Sequence, residues 1–167
     1  WLKVFQIPIA SRTSRGKPIV NILPLEEGER ITSMLPVTEY TNDHYVFMAT
    51  SNGTVKKTVL TNFARQRSVG LRAIELDEGD ELVGTAITDG SHDVMLVSTS
   101  GKTIRFKEVD VRPMGRTARG VRGIKMGGEY RMIALIIPQD NRQILTVSEN
   151  GYGKRTEVED FPVYGRG

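Results

Sequence analysis

The chain has 167 residues, contains no cysteine and carries a formal net charge of +3. That length can hold one domain with a sizeable core, and the lack of cysteine excludes disulfides and cysteine-ligated metal or redox centres. No apolar run approaches the ~20 residues that a transmembrane helix needs, and no signal peptide opens the sequence. These features predict a cytoplasmic protein that does not enter the membrane.

The sequence repeats one pattern along the chain. The matching segments are VFMATSNGTVKKTVLTNF, VMLVSTSGKTIRFKEVDV and ILTVSENGYGKRTEVEDF. Their turn glycines, Gly53, Gly101 and Gly151, are separated by 48 and 50 residues. Each repeat holds about four short runs rich in Val, Ile and Thr, and glycine or asparagine at the turns supplies the positive φ of a tight hairpin. A period near 50 residues with four strands in each repeat is typical of a propeller blade.

We therefore predict an all-β, propeller-like fold with no long helix, and we expect residues 60–63 to form a single helical turn. The approximate repeat units are 1–45, 46–93, 94–143 and 144–167. The chain begins with Trp1 and both of its ends fall inside the repeat pattern. This predicts about three and a half four-stranded blades belonging to a longer protein.

Basic residues recur at equivalent positions of the repeats. Three residues after each turn glycine stand Lys56, Ile104 and Lys154, and the next position is basic in every repeat. Further arginines gather in loops that also contain glycine and small residues. The candidate DNA-binding residues are Arg12, Arg15, Lys17, Lys56, Lys57, Arg65, Arg67, Arg72, Arg105, Arg112, Arg116, Arg119, Arg122, Lys154, Arg155 and Arg166.

The chemistry of these loops favours the backbone of duplex DNA as the partner. Arginine presents a permanently charged fork suited to phosphate, and glycine lets the backbone approach a bulky partner. The arginines lack an interleaved aromatic platform for stacking single-stranded bases. Several basic loops around a rim could bend duplex DNA without reading its sequence. For Lys57, Arg105 and Arg155, pairing with acids of the neighbouring unit is an alternative.

The sequence does not favour an enzyme. The two histidines, His44 and His92, lie in polar turns, and the acids of residues 75–81 fit a hairpin turn better than a metal site. No glycine-rich phosphate loop precedes a helix, and the tyrosines form no constellation expected of a DNA-cleaving nucleophile. We expect no catalytic residue, metal or cofactor in this chain.

The segments RGKPIVNILPLEEGERI, VFMATSNGTVKKTVL, GVRGIKM and NGYGKRTEVEDFP closely resemble the C-terminal domain of bacterial DNA gyrase A. The resemblance covers essentially the whole chain. It implies a six-bladed β-pinwheel whose blades exchange strands and whose basic rim wraps duplex DNA. The expected partners are therefore duplex DNA, the rest of gyrase A and its companion gyrase B, in a nucleoid-associated, ATP-dependent type II topoisomerase that introduces negative supercoils.

The sequence departs from this family at the gyrase box, which has the pattern Q-R-R-G-G-K-G. Residues 10–16 and 114–120 each match it at three positions, and residues 64–70 match it at two. The resemblance therefore implies DNA binding without full wrapping. Two alternatives remain open: the related domain of topoisomerase IV, which lacks the box, and a propeller that binds proteins.

Overall fold

A computed structural model describes residues 1–167 and shows an all-β chain punctuated by short 3₁₀ turns. The strands are β1 (Tyr45–Thr50), β2 (Thr54–Val59), β3 (Leu82–Thr88), β4 (Asp93–Ser98), β5 (Thr103–Lys107), β6 (Val121–Arg122), β7 (Met132–Ile136), β8 (Gln143–Val147) and β9 (Gly153–Glu157). The 3₁₀ turns are Val4–Gln6, Ile19–Asn21, Leu60–Phe63, Glu108–Asp110 and Val158–Asp160. The helical turn predicted at residues 60–63 is confirmed, and no helix is long and apolar enough to cross a membrane.

The sheets are antiparallel and show how the repeats interlock. The first sheet has the order β3-β1-β2-β6, so the strand β6 of the third unit completes the sheet of the second unit. The second sheet has the order β5-β4-β7, and β8 pairs with β9 in a two-stranded sheet. The predicted all-β pinwheel is confirmed, and donation of β6 is its strand exchange.

Tight turns at the repeated glycines join the paired strands. Gly53, Gly101 and Gly151 have φ values of +83°, +76° and +80°. The pairing of β1 with β3 shifts register at Ala49/Thr50, and that of β4 with β7 shifts at Val97/Ser98, in both cases close to the turn. The positive φ predicted from the turn chemistry is therefore present at all three glycines.

The core lies between the first two sheets. Each sheet contributes apolar residues to it, and the connecting segments add others. The cluster comprises Phe47, Ala49, Val55, Val94, Leu96, Phe106, Val111, Ile124 and Met132. Burial of this cluster joins the second and third units into one body, which fixes the loops that run from their edges.

Residues 1–44 differ from the strand-rich expectation. They contain two 3₁₀ turns and no strand, and the apolar run of residues 31–37 has no hydrogen-bonded strand beside it. A strand needs a partner to satisfy its backbone groups, so an apolar run alone does not form one.

Candidate nucleic-acid interface

Three of the predicted DNA-binding residues lie inside the structure. Lys56 is fully buried, Lys57 is 3% exposed, and the side chain of Arg105 is only 12% exposed. A buried cation bonded to protein oxygens offers no surface to a phosphate. We therefore remove these three residues from the candidate interface.

Lys57 makes a buried polar contact between consecutive units, which we call a latch. Its ammonium group donates to the carbonyl oxygen of Glu108 at 3.1 Å and lies 3.6 Å from the Glu108 Oε1 atom. That carboxylate is itself fully buried and accepts hydrogen bonds from the Thr88 hydroxyl at 2.6 Å and the Gly90 amide at 3.2 Å. The structure therefore supports the alternative prediction for Lys57, pairing with an acid of the neighbouring unit.

Arg105 makes the corresponding latch one unit later. Its guanidinium donates to the carbonyl oxygen of Val158 at 2.7 Å, 50 residues after Glu108 in the chain. It also pairs with Asp93 at 2.6 Å, and Lys107 contacts the other oxygen of that carboxylate at 2.6 Å. Burial opposes ionisation of Asp93, but the hydrogen bonds from Lys107 and Arg105 outweigh it and hold the pKa of this carboxyl below its usual value.

Lys56 connects two of the basic loops from the interior of the molecule. Its ammonium donates to the carbonyl oxygen of Ala73 at 2.6 Å and to that of Arg116. No acid pairs with it. Burial, and then the neighbouring charge of Arg116, lowers the pKa of Lys56 from 10.5 to about 8.

The remaining candidates lie at the surface, most of them in the loops. Arg116 is partly buried and the others are exposed. They are Arg12, Arg15, Lys17, Arg65, Arg67, Arg72, Arg112, Arg119, Arg122, Lys154, Arg155 and Arg166. Lys154 and Arg155 lie on β9 rather than in a loop, and Arg155 is exposed although its counterparts Lys57 and Arg105 are not.

The structure brings four arginines together in two equivalent pairs. Arg116 Nη1 donates to the carbonyl oxygen of Arg72 at 3.4 Å, and Arg166 Nη1 donates to that of Arg122 at 2.8 Å. The second pair follows the first by 50 residues in both members. We call Arg72–Arg116 and Arg122–Arg166 the first and second arginine pairs. Each pair links consecutive units, through two loops in the first pair and through β6 and a loop in the second, so the pairs repeat along the molecule as the units do.

Arg166 of the second pair borders an open cleft of about 410 Å³. The cleft is lined by Val109, Asp110, Arg112, Val121 and Arg166. A cleft lined by two arginines, Arg112 and Arg166, suits a phosphate, although Asp110 contributes one opposing charge. No group of three or more His, Cys, Asp or Glu residues is arranged to hold a metal ion.

An acidic turn holds the exposed Arg119, a feature that was not predicted from the sequence. The guanidinium of Arg119 donates to Asp77 Oδ1 at 2.6 Å and to Glu75 Oε1 at 3.4 Å. In the sequence, the only indication of this contact is that acidic and basic residues are separated into blocks. Only the fold showed that the acidic block of one unit lies against the basic loop of the next.

The interlocked antiparallel sheets define a β-pinwheel like those of the C-terminal domains of DNA gyrase and DNA topoisomerase IV. The family model described as "DNA gyrase C-terminal domain, beta-propeller" matches residues 1–38, 44–89, 92–139 and 142–167. The chain belongs to the DNA gyrase C-terminal domain family.

Relatives of the chain agree with that assignment. Over 99% of its length it is 58% identical to the DNA gyrase A of Salmonella typhimurium and 54% identical to that of Escherichia coli strain K12. The chain spans 19% of each of those relatives, about a fifth of their length.

Solved structures show the same architecture. The C-terminal domain of DNA topoisomerase IV superposes with a TM-score of 0.87 and 28% identity, over 98% of this chain and 51% of that one. A DNA gyrase A C-terminal domain gives a TM-score of 0.80 and 26% identity, over 95% of this chain and 53% of that one. The alternative of a topoisomerase IV domain shares the fold, but the sequence relatives are gyrases.

Proposed function

We propose that this chain binds duplex DNA, largely independently of sequence, through a rim of exposed basic loops centred on the two arginine pairs. The observation that carries the proposal is the repetition of the arginine-to-carbonyl contact in consecutive units. It fixes guanidinium groups at a regular interval along the molecule. A regular row of cations matches the regular charge of a DNA backbone, which is the same for every sequence.

The binding would bend the DNA along the rim. Bending a site of 20–30 base pairs by tens of degrees costs about 1–6 kcal/mol, which several loops can supply together and one loop cannot. Membership of the gyrase family supports a role for this binding in ATP-dependent negative supercoiling in the bacterial cytoplasm, with the rest of gyrase A and with gyrase B as partners. On this proposal the chain contributes DNA contacts, and no cofactor or catalytic group.

Replacement of one arginine from each pair tests the proposal. Arg116→Ala and Arg166→Ala should each weaken binding about three- to tenfold, and by similar factors on several duplexes of unrelated sequence, because phosphate contacts read no bases. Fluorescence anisotropy with labelled duplexes measures this. The matched control is Arg142→Ala, which removes an exposed arginine just before β8, outside the basic loops.

Two outcomes would contradict the proposal. Loss of binding confined to one duplex sequence would indicate base readout. Equal affinities for the wild type and both loop variants would show that the arginine pairs do not contact DNA, and would favour a propeller that binds proteins.

A further inference from the structure

Lys56 occupies an unusual place beneath the proposed interface. It is a fully buried lysine with no carboxylate partner, and its ammonium is bonded to two main-chain oxygens. Burying a charge is costly unless hydrogen bonds compensate it. A methionine or isoleucine would fill the same space without that cost, so the charged group needs an explanation beyond packing.

The two oxygens belong to different basic loops. Ala73 follows Arg72 in the second unit, and Arg116 lies 60 residues from Lys56, in the loop of the third unit. Arg72 and Arg116 are the two members of the first arginine pair. One ammonium therefore fixes the main chain of both loops, while the guanidinium of Arg116 joins them through its bond to the Arg72 oxygen.

The second arginine pair has no such support. The residue equivalent to Lys56 is Ile104, which has no side-chain donor and packs against the hydrophobic core. A Cβ atom added at Gly167, next to Arg166, would lie 3.3 Å from Ile104 Cδ1, so this isoleucine reaches the same part of the next loop. The second junction lacks the lysine and has hydrogen bonds from Arg122 Nε to the Gly167 oxygen at 3.0 Å and from the Gly167 amide to the Gly123 oxygen at 3.2 Å.

We propose that Lys56 is a positioning residue for the DNA contact of the first arginine pair, setting Arg72 and Arg116 at the spacing that one stretch of phosphates requires. This inference rests on the proposed function. Without the two bonds from Lys56, the loops can separate, and Arg116 then contributes charge without a fixed position. The second pair, which is held by the hydrogen bonds between Arg122, Gly123 and Gly167, is unaffected.

A double-mutant cycle tests the role of Lys56. In the wild-type background, Arg116→Ala should weaken binding of a duplex of about 30 base pairs about three- to tenfold. In a Lys56→Met background the same replacement should cost less than about twofold, whereas Arg166→Ala should keep its full effect. A merely structural role for Lys56 would lower both effects or neither, so an unchanged cost of Arg116→Ala, or an equal decrease for both arginines, would overturn the inference.

Two controls distinguish an effect on folding from an effect on DNA binding. Thermal unfolding followed by circular dichroism establishes that Lys56→Met is folded. If it is not, Lys56→Ile replaces it in the cycle, because it also lacks an N–H donor and is the residue type that Ile104 supplies at the equivalent position. Val94→Ala serves as a core variant that destabilises the chain without touching either loop.

A measurement without DNA separates this inference from the proposed function. In ¹H–¹⁵N spectra of the arginine Nε groups, Lys56→Met should move or broaden the signal of Arg116 and leave that of Arg166 unchanged. An unaltered Arg116 signal would overturn the positioning role. If the signal moves but the wild-type chain fails to bind duplex DNA at low salt, the proposed function fails while the structural link stands.

Discussion

Basic residues at equivalent positions of the repeats have different roles in this molecule because their burial differs. Lys57 and Arg105 are enclosed and bonded to carbonyl groups of the following unit, whereas their counterpart Arg155 is exposed on β9. A sequence shows that a position is basic in every repeat but not whether the next unit covers it. This is why the loop arginines could be predicted as surface groups, while Lys56, Lys57 and Arg105 were wrongly included with them.

The acidic turn of the second unit should restrain DNA binding. Glu75 and Asp77 neutralise Arg119 in the free chain and would lie close to any phosphate that it contacts. We predict that Glu75→Gln combined with Asp77→Asn raises duplex affinity about threefold and steepens its dependence on salt, because one more arginine becomes available. Anisotropy titrations at two salt concentrations measure both effects.

The stability of this variant serves as its control. Exposed ion pairs contribute only about 0–1 kcal/mol, so the melting temperature should change little. In an Arg119→Ala background the two acidic replacements should lose most of their effect on affinity. An equal gain with and without Arg119 would show that the acids act through general charge and not through this contact.

The elements of the fold were predictable where local chemistry decides them. The hairpin glycines and the short strands of residues 45–107 follow from alternation and turn residues, and the structure contains them. Residues 31–37 carry a similar apolar run but form no strand, because pairing depends on a neighbour that the run itself does not encode. Donation of β6 to the preceding unit's sheet likewise depends on how the units pack, although the family resemblance implied strand exchange.

Two equivalent turns make a matched test of packing between units. Gly53 and Gly101 both have positive φ, but a Cβ atom at Gly53 would lie 2.6 Å from the Ile124 oxygen, whereas one at Gly101 would meet nothing within 4 Å. We predict that Gly101→Ala costs about 1–2 kcal/mol from backbone strain alone. Gly53→Ala should cost at least about 2 kcal/mol more, because the third unit must move away.

Urea denaturation of the two variants measures this difference. Equal destabilisation would mean that the turn of the second unit is not packed against Ile124 as the structure shows. A larger cost for Gly101→Ala would contradict the account of the junction altogether.

At the scale of the whole molecule, strand exchange and buried latches turn a row of repeats into a rigid support for the basic loops. β6 completes the preceding sheet, and Lys57 and Arg105 bond to the 3₁₀ turn that follows the second strand of the next unit. On the proposed function, a modest net charge of +3 is sufficient for a polyanion partner because the exposed cations gather on one rim. The repeat sets the interval between the arginine pairs, and the fold holds them at that interval.

The salt dependence of duplex binding tests the central claim most directly. Each phosphate neutralised lowers log affinity by about 0.9 per unit of log salt concentration, so two arginine pairs with one phosphate each predict a slope of about −2 or steeper. Titration of a duplex of about 30 base pairs with the wild-type chain, over a series of salt concentrations, measures the slope. We expect a linear decrease that becomes shallower by about 1 in Arg116→Ala and again in Arg166→Ala. No binding at low salt, or an affinity that does not change with salt, would contradict the account.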